Sequence, residues 1–188
     1  MNEQIKNKIE KSARMLIFAY GVRGWNMDEF AAEAGITKRT LYKYVDSKEK
    51  LVEDTLIAYI REIQSTLSES LKDVENFQEG IERIIDIYPA MILKIDSKVV
   101  RDIFNKYPFI EEAVVKQKDS FTKDILLYLE RGQKDGFIYK RYNCKVILEV
   151  IQSMVIYHIK NSPDQLEEKL EESISMIAYG IIKRGDAQ

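Results

Sequence analysis

Asn26-Met27-Asp28-Glu29-Phe30-Ala31-Ala32-Glu33-Ala34-Gly35-Ile36-Thr37-Lys38-Arg39-Thr40-Leu41-Tyr42-Lys43-Tyr44-Val45 is the stretch on which the reading of this chain turns. Asn26 can accept the amide of Glu29 while the Glu29 carboxylate reaches back to the amide of Asn26, a capping box that starts a short helix. Gly35 ends that helix, as a glycine in the left-handed conformation commonly does. Only Ile36 and Thr37 separate it from a second helical stretch, Lys38 to Val45, for which Thr37 is the N-cap. Two helices joined so tightly must cross closely, and Ala31 is small enough for the approach. Phe30, Ala34, Ile36, Leu41 and Tyr44 then supply a shared core, while Lys38, Arg39, Thr40, Tyr42 and Lys43 project outward.

This frame matches a helix-turn-helix whose second helix lies in the major groove of DNA. Arg39 can donate two hydrogen bonds to a guanine edge. Lys38 and Lys43 can neutralise phosphates or reach bases, and Tyr42 can donate its hydroxyl to a phosphate. Thr37 and the amides at the start of its helix suit a phosphate oxygen. Three basic residues alone would read as a solvated face; the helix-glycine-helix frame around them favours DNA.

Working outward, Ile5, Ile9, Ala13 and Leu16 give one apolar stripe to a first helix that stops near Gly21. After Asp46, Ser47 can cap a fourth helix. Lys48 falls in its first turn, where the helix dipole prefers an acid. A nearby phosphate would explain that placement; so would chance. Residues 1–50 hold 10 Lys and Arg against 7 Asp and Glu, and the remainder is acidic, with 19 against 24. A mildly basic head on an acidic body suits a polyanionic partner.

The whole chain has 188 residues, 45% hydrophobic and 32% charged, so it can build a core and is not disordered. Eight Gly and three Pro leave few sharp turns and argue for long helices over a turn-rich β fold. A lone cysteine, Cys144, excludes an internal disulfide and a cysteine zinc site. The apolar run Met15–Tyr20 is too short for a secretory signal. The run at Val146–Ile159, interrupted by Glu149 and Gln152, is too short to span a bilayer. The expectation is an all-α, soluble, cytoplasmic protein of about nine helices. Its head, residues 1–46, binds DNA, and its body, residues 47–188, binds an effector and dimerises.

In the body, a fourth helix runs to about Leu71, and a fifth to about Ile95 with Pro89 expected to kink or divide it. A sixth covers Ser97 to Lys106, and Pro108 opens a long seventh that Gly132 and Gly136 end. Lys145 to Lys160 is apolar on nearly every side and needs burial on every side, which points to a second subunit. Ser162-Pro163-Asp164-Gln165 reads as an N-cap with Pro at the first helical position, opening a last helix. A dimer seam is therefore expected at Val150, Met154, Leu170, Ile174, Ile177 and Ile181, with a purely intramolecular core as the other reading. Tyr88, Met91, Phe104, Tyr107, Phe121, Tyr128, Met154 and Tyr157 are candidates to line a pocket for a flat or lipophilic molecule, or are simply core. His158, the lone histidine, could orient a ligand, ligate a metal, or sit satisfied in the core or an interface.

Taken together, the sequence resembles the tetracycline-repressor (TetR) family of bacterial transcription regulators. The match runs through Ala13, Phe18, Gly21, Met27 to Thr37, Thr40-Leu41-Tyr42-Lys43-Tyr44 and Ser47-Lys48-Glu49-Lys50-Leu51. A weaker echo lies at Leu129-Glu130-Arg131-Gly132-Gln133-Lys134-Asp135-Gly136-Phe137. The resemblance implies operator contacts from Thr37, Lys38, Arg39, Thr40, Tyr42, Lys43 and Lys48, and a phosphate contact from Asn26. It also implies a homodimer through the last two helices and a small-molecule effector held among the fifth to eighth helices. Three positions depart from the family pattern: Arg39 stands where many members have Gly, Trp25 where Thr is frequent, and Val45 where Phe is common.

An enzyme is not expected: no Ser/His/Asp arrangement, phosphate-cradling glycine loop or metal-ligand cluster occurs, and no cofactor or metal is called for. The alternatives to a ligand-responsive repressor are a TetR-like DNA-binding protein without an effector and a helical interaction module.

Overall fold

The computed structural model describes residues 2–116 and 118–182, with the backbone alone for 118–122. Its helices are α1 (Glu3–Tyr20), α2 (Met27–Glu33), α3 (Lys38–Leu41), α4 (Lys48–Leu71), α5 (Phe77–Ile92), α6 (Ser97–Lys106), α7 (Pro108–Lys116), α8 (Lys118–Lys134), α9 (Cys144–Asn161) and α10 (Leu166–Ile181). The only β pairing among the described residues is an isolated antiparallel bridge between Ile138 and Ile182. The fold is all-α, as expected; Pro108–Lys116 and Lys118–Lys134 are helical on either side of residue 117, within the stretch the sequence assigns to a long helix opened by Pro108.

The chain forms two compact units, Met1–Ile60 with Lys98–Lys116, and Arg61–Ser97 with Gln117–Gln188. In the first, α1 turns Ile9, Ala13, Leu16 and Ile17 inward, and Phe30, Leu41 and Val52 are fully buried. The α1 stripe that the sequence shows is thus the buried face. Trp25 is buried too; its indole N–H donates to the Gly21 carbonyl at 2.7 Å, and its ring leans on Phe30 at 5.6 Å. Gly21 takes φ +63, which lets the chain leave α1 sharply.

The second unit is built on Leu67, Phe77, Ile81, Ile125, Leu129, Ile147, Leu148 and Ile181. Phe77 stacks on both Tyr128 and Phe137, each at 5.2 Å. The Tyr128 hydroxyl donates to the Phe77 carbonyl at 2.6 Å. That stack presses against Gly132, where a Cβ would stand 2.0 Å from the Phe77 ring.

Two expectations about helix ends are corrected. Pro89 does not divide α5: it sits in the last turn, and the helix closes at Ile92 with the Leu93 amide donating to the Pro89 carbonyl at 2.9 Å. Ser162 does not cap the last helix. It closes α9 instead, its amide donating to the His158 carbonyl at 2.9 Å, and Pro163–Gln165 form a 3₁₀ turn before α10 begins at Leu166. A proline at the first position suits either start, and the tighter turn takes it here.

Candidate nucleic-acid interface

The turn between α2 and α3 is built from local sequence. The Asn26 side chain accepts from the amides of Asp28 and Glu29 at 2.9 and 3.0 Å, and Glu29 accepts from the Asn26 amide at 2.8 Å. At the other end Gly35 has φ +62; its amide donates to Ala32 and that of Ile36 to Ala31, both at 3.0 Å. These two bonds make a Schellman closure, which satisfies the last carbonyls and turns the chain at once. Thr37 then caps α3, its hydroxyl accepting from the Thr40 amide at 3.1 Å and pairing with the Thr40 hydroxyl at 2.9 Å.

The second helix is shorter than expected. Regular α structure covers Lys38–Leu41, and the run to Val45 continues as tighter turns, with the Lys43 amide on Thr40 and that of Tyr44 on Leu41. Leu41 and Val45 anchor it from below. Ile36 and Tyr44, expected in the core, are half-buried.

Thr37, Lys38, Arg39, Tyr42 and Lys43 are exposed and Thr40 half-exposed, so the turn presents them on its outer side. The side chains of Arg39 and Lys43 make no ion pair or hydrogen bond among the described residues. Lys38 pairs with Asp28 at 2.7 Å, and that hydrogen bond and charge hold its ammonium above the ordinary lysine range. Asn26 gives its side-chain oxygen to the capping box and keeps its NH₂ group for any outside acceptor.

Lys48 is placed differently from the others. Its ammonium donates to the Trp25 carbonyl and lies 3.8 Å from the centre of the Trp25 ring. Partial burial, followed by the charge of Lys106, pushes its pKa down. The residue anticipated as a phosphate contact therefore also clamps the start of α4 to the loop before α2. The sequence signal was present, a lysine where the helix dipole disfavours one and a tryptophan where a small residue is usual, but nothing local linked positions 23 apart.

Residues 9–55 match the model of the tetR family of bacterial regulatory proteins. The head is thus similar to that of TetR regulators, over about a quarter of the chain. Among solved structures, a TetR-family transcriptional regulator of Mesorhizobium loti superposes with a TM-score of 0.73 at 15% identity, covering 97% of this chain and 100% of that one. SmeT, the repressor of the Stenotrophomonas maltophilia multidrug efflux pump SmeDEF, gives 0.72 at 13% identity over 97% and 94% of the two chains. FadR of Bacillus subtilis, solved in complex with stearoyl-CoA, gives 0.70 at 14% over 94% and 99%. No curated protein matches the sequence. No helix among the described residues is long and apolar enough to cross a membrane.

The second unit of this TetR-like chain contains a small cleft among α4, α5, α8, α9 and α10, with a cavity volume of about 60 Å³. Its walls are isoleucine and leucine, Ile81, Ile84, Ile85, Ile147, Ile151 and Ile177 among them, and not the anticipated aromatics. Of the eight pocket candidates whose side chains are described, Tyr88 alone lines it. Met91, Phe104 and Tyr107 are buried core, the last two in the first unit. Tyr128 is held on Phe77, and Met154 is half-buried. Tyr157 points outward at 59% exposure, and the side chain of Phe121 lies outside the described residues. His158 Nε2 faces the Ser173 hydroxyl at 3.2 Å, while its Nδ1 is buried without a partner. Ile81, Ile84 and Ile85 of α5 stand at helical spacing in the sequence, which is the signal that marks this wall.

Of the anticipated seam, Leu170, Ile174 and Ile181 are buried inside this chain, so they are core. Met154 and Ile177 are half-buried. Val150 is exposed, and with Val146 and Tyr157 on α9 and Met176 and Tyr179 on α10 it forms the apolar surface these helices leave uncovered. An α9 helix apolar on nearly every side divides its burial in this way: one side inside the chain, the other left uncovered.

Proposed function

We propose that this chain is a ligand-responsive transcriptional repressor. Residues 1–46 bind a palindromic operator, and residues 47–188 dimerise and take a small lipophilic effector that releases the DNA. The observation that carries the reading is the outer face of the α2–α3 turn, where Arg39, Tyr42 and Lys43 are exposed on a capped, rigidly closed motif. Asn26, Thr37, Lys38, Thr40 and Lys48 complete the set assigned to operator contact. Two such heads about 34–36 Å apart read half-sites one helical turn apart. The uncovered apolar surface of α9 and α10 supports dimerisation, and the apolar cleft supports an effector. The fold neighbours, one a repressor and one holding an acyl-CoA, agree with both roles. An effector that binds one arrangement of the body more tightly than the other shifts the population between them, and α4 carries the change to the head. Such a regulator works in the cytoplasm on duplex DNA and performs no turnover.

Selection of bound sequences from random duplexes, repeated with candidate effectors, tests this directly. A palindrome whose recovery falls steeply with salt is the expected result. A chain that stays monomeric and enriches no sequence at low salt overturns the proposal.

A further inference from the structure

Resting on the reading that the outer face of the α2–α3 turn meets DNA, we propose that Asp28 is a positioning residue for sequence reading. It keeps the Lys38 ammonium on base edges and off the phosphates. Asp28 lies in the first turn of α2, and its carboxylate reaches across to the Lys38 ammonium at 2.7 Å. Glu29 beside it is already committed to the capping box, accepting from the Asn26 amide at 2.8 Å. Lys38 and Asp28 keep 58% and 65% of their side-chain surface exposed, so the charge contact and not burial holds them together. The Gly35 closure brings the two helices near enough for the pair to form.

A lysine by itself is a poor reader. Its ammonium is a compact charge on a flexible four-carbon stem, and the nearest phosphate satisfies it whatever the sequence. Held by Asp28, the ammonium loses that freedom: the carboxylate takes one of its three N–H donors, and two remain in a fixed place. The pair is also electrically neutral, so it displaces no counterion from the DNA backbone and adds nothing to binding that ignores sequence. The side chains of Arg39 and Lys43, which no acid opposes among the described residues, are left to supply that attraction. What the pair still offers is two directed donors, which suit the O6 and N7 acceptors of guanine in the major groove. A duplex with such acceptors at this point gains a contact, and one without them meets a carboxylate near its phosphates.

The test titrates the full chain with two duplexes, the palindrome recovered by selection and a scrambled sequence, at several salt concentrations. Asp28→Asn, nearly the same size and uncharged, is expected to bind the scrambled duplex about fivefold more tightly, with a salt dependence steeper by about one counterion for each head engaged. Binding to the palindrome is expected to change little, so the specificity ratio falls by about fivefold. Asp28→Glu, which keeps the charge, is expected to keep the ratio. In a Lys38→Gln chain, Asp28→Asn is expected to strengthen both duplexes alike. A fall in the ratio there as large as with Lys38 in place overturns the inference, because the effect then does not run through Lys38. An unchanged ratio in Asp28→Asn overturns it too, and leaves the DNA reading standing. Asp28→Ser, equally uncharged, takes the place of Asp28→Asn if that variant fails to fold. If neither the unaltered chain nor a folded Asp28 variant binds any duplex at low salt, the DNA reading falls together with the inference.

Discussion

At the residue scale, the head separates side chains that hold the motif from side chains left free to meet DNA. Thr37, Asn26 and Glu29 have their oxygens committed to caps, and Lys38 is paired with Asp28, whereas Arg39 and Lys43 have no partner among the described residues. Arg39→Ala is therefore expected to leave folding intact, weaken specific operator binding by about 1–3 kcal/mol and relax one base position. Unchanged base preference in a repeated selection would remove Arg39 as a base reader. Lys48 divides its role. Its ammonium lies over the Trp25 ring, so Lys48→Ala is expected to weaken all DNA sequences alike and also to destabilise the head by about 0.5–1 kcal/mol. Thermal unfolding separates the two variants: Arg39→Ala should melt with the unaltered chain and Lys48→Ala below it.

At the scale of elements, the close approach of α5 to α8 depends on glycine. The Phe77 ring, stacked between Tyr128 and Phe137, occupies the space where a Gly132 Cβ would go. Gly132→Ala gains helix propensity but must displace a ring fixed on both sides, and overpacking outweighs the gain. The expected loss is about 1–3 kcal/mol, read as a lowered denaturant midpoint with unchanged slope. Gly35 is a different case: open space surrounds its Cβ position, and only its φ of +62 calls for glycine. The helix ends show how far local rules reach. The α2 caps form as their residues dictate, because every partner lies within five positions. The start of α10 does not, because Ser162 is taken by the end of α9.

At the scale of the whole molecule, burial sets the pH response, and the surface it leaves uncovered bears on the proposed assembly. Tyr88 and Tyr128 are pushed up to about 12 from an ordinary 10, in each case chiefly by burial. The folded chain holds these protons longer than the unfolded one. Their contribution is thus fully present below pH 10 and lost as pH rises through about 12. Alkaline unfolding should set in across that window, and Tyr88→Phe should shift it upward; a transition indifferent to that substitution would contradict the assignment. For assembly, Tyr157 and Met176 are 59% and 71% exposed on the uncovered surface of α9 and α10. Paired Tyr157→Glu and Met176→Glu place unpaired charges there. Sedimentation should show a monomer with its melting temperature little changed, and tight operator binding should be lost with the dimer.

What the sequence by itself determined is the head. The capping box at Asn26, the left-handed Gly35 and the Thr37 cap act over three to five residues, so their outcome depends on neighbours already written beside them. The all-α class was equally legible, from helical apolar spacing and scarce turn residues. Only the tertiary structure decided which stripe of α9 and α10 turns inward, that Leu170 and Ile174 are core while Tyr157 and Met176 face out, and that the cleft is lined by isoleucine and not by aromatics. It alone brought Lys48 onto Trp25. A helix that is apolar all round presents equivalent faces to any neighbour, and the choice among them is made by packing between segments far apart in the chain.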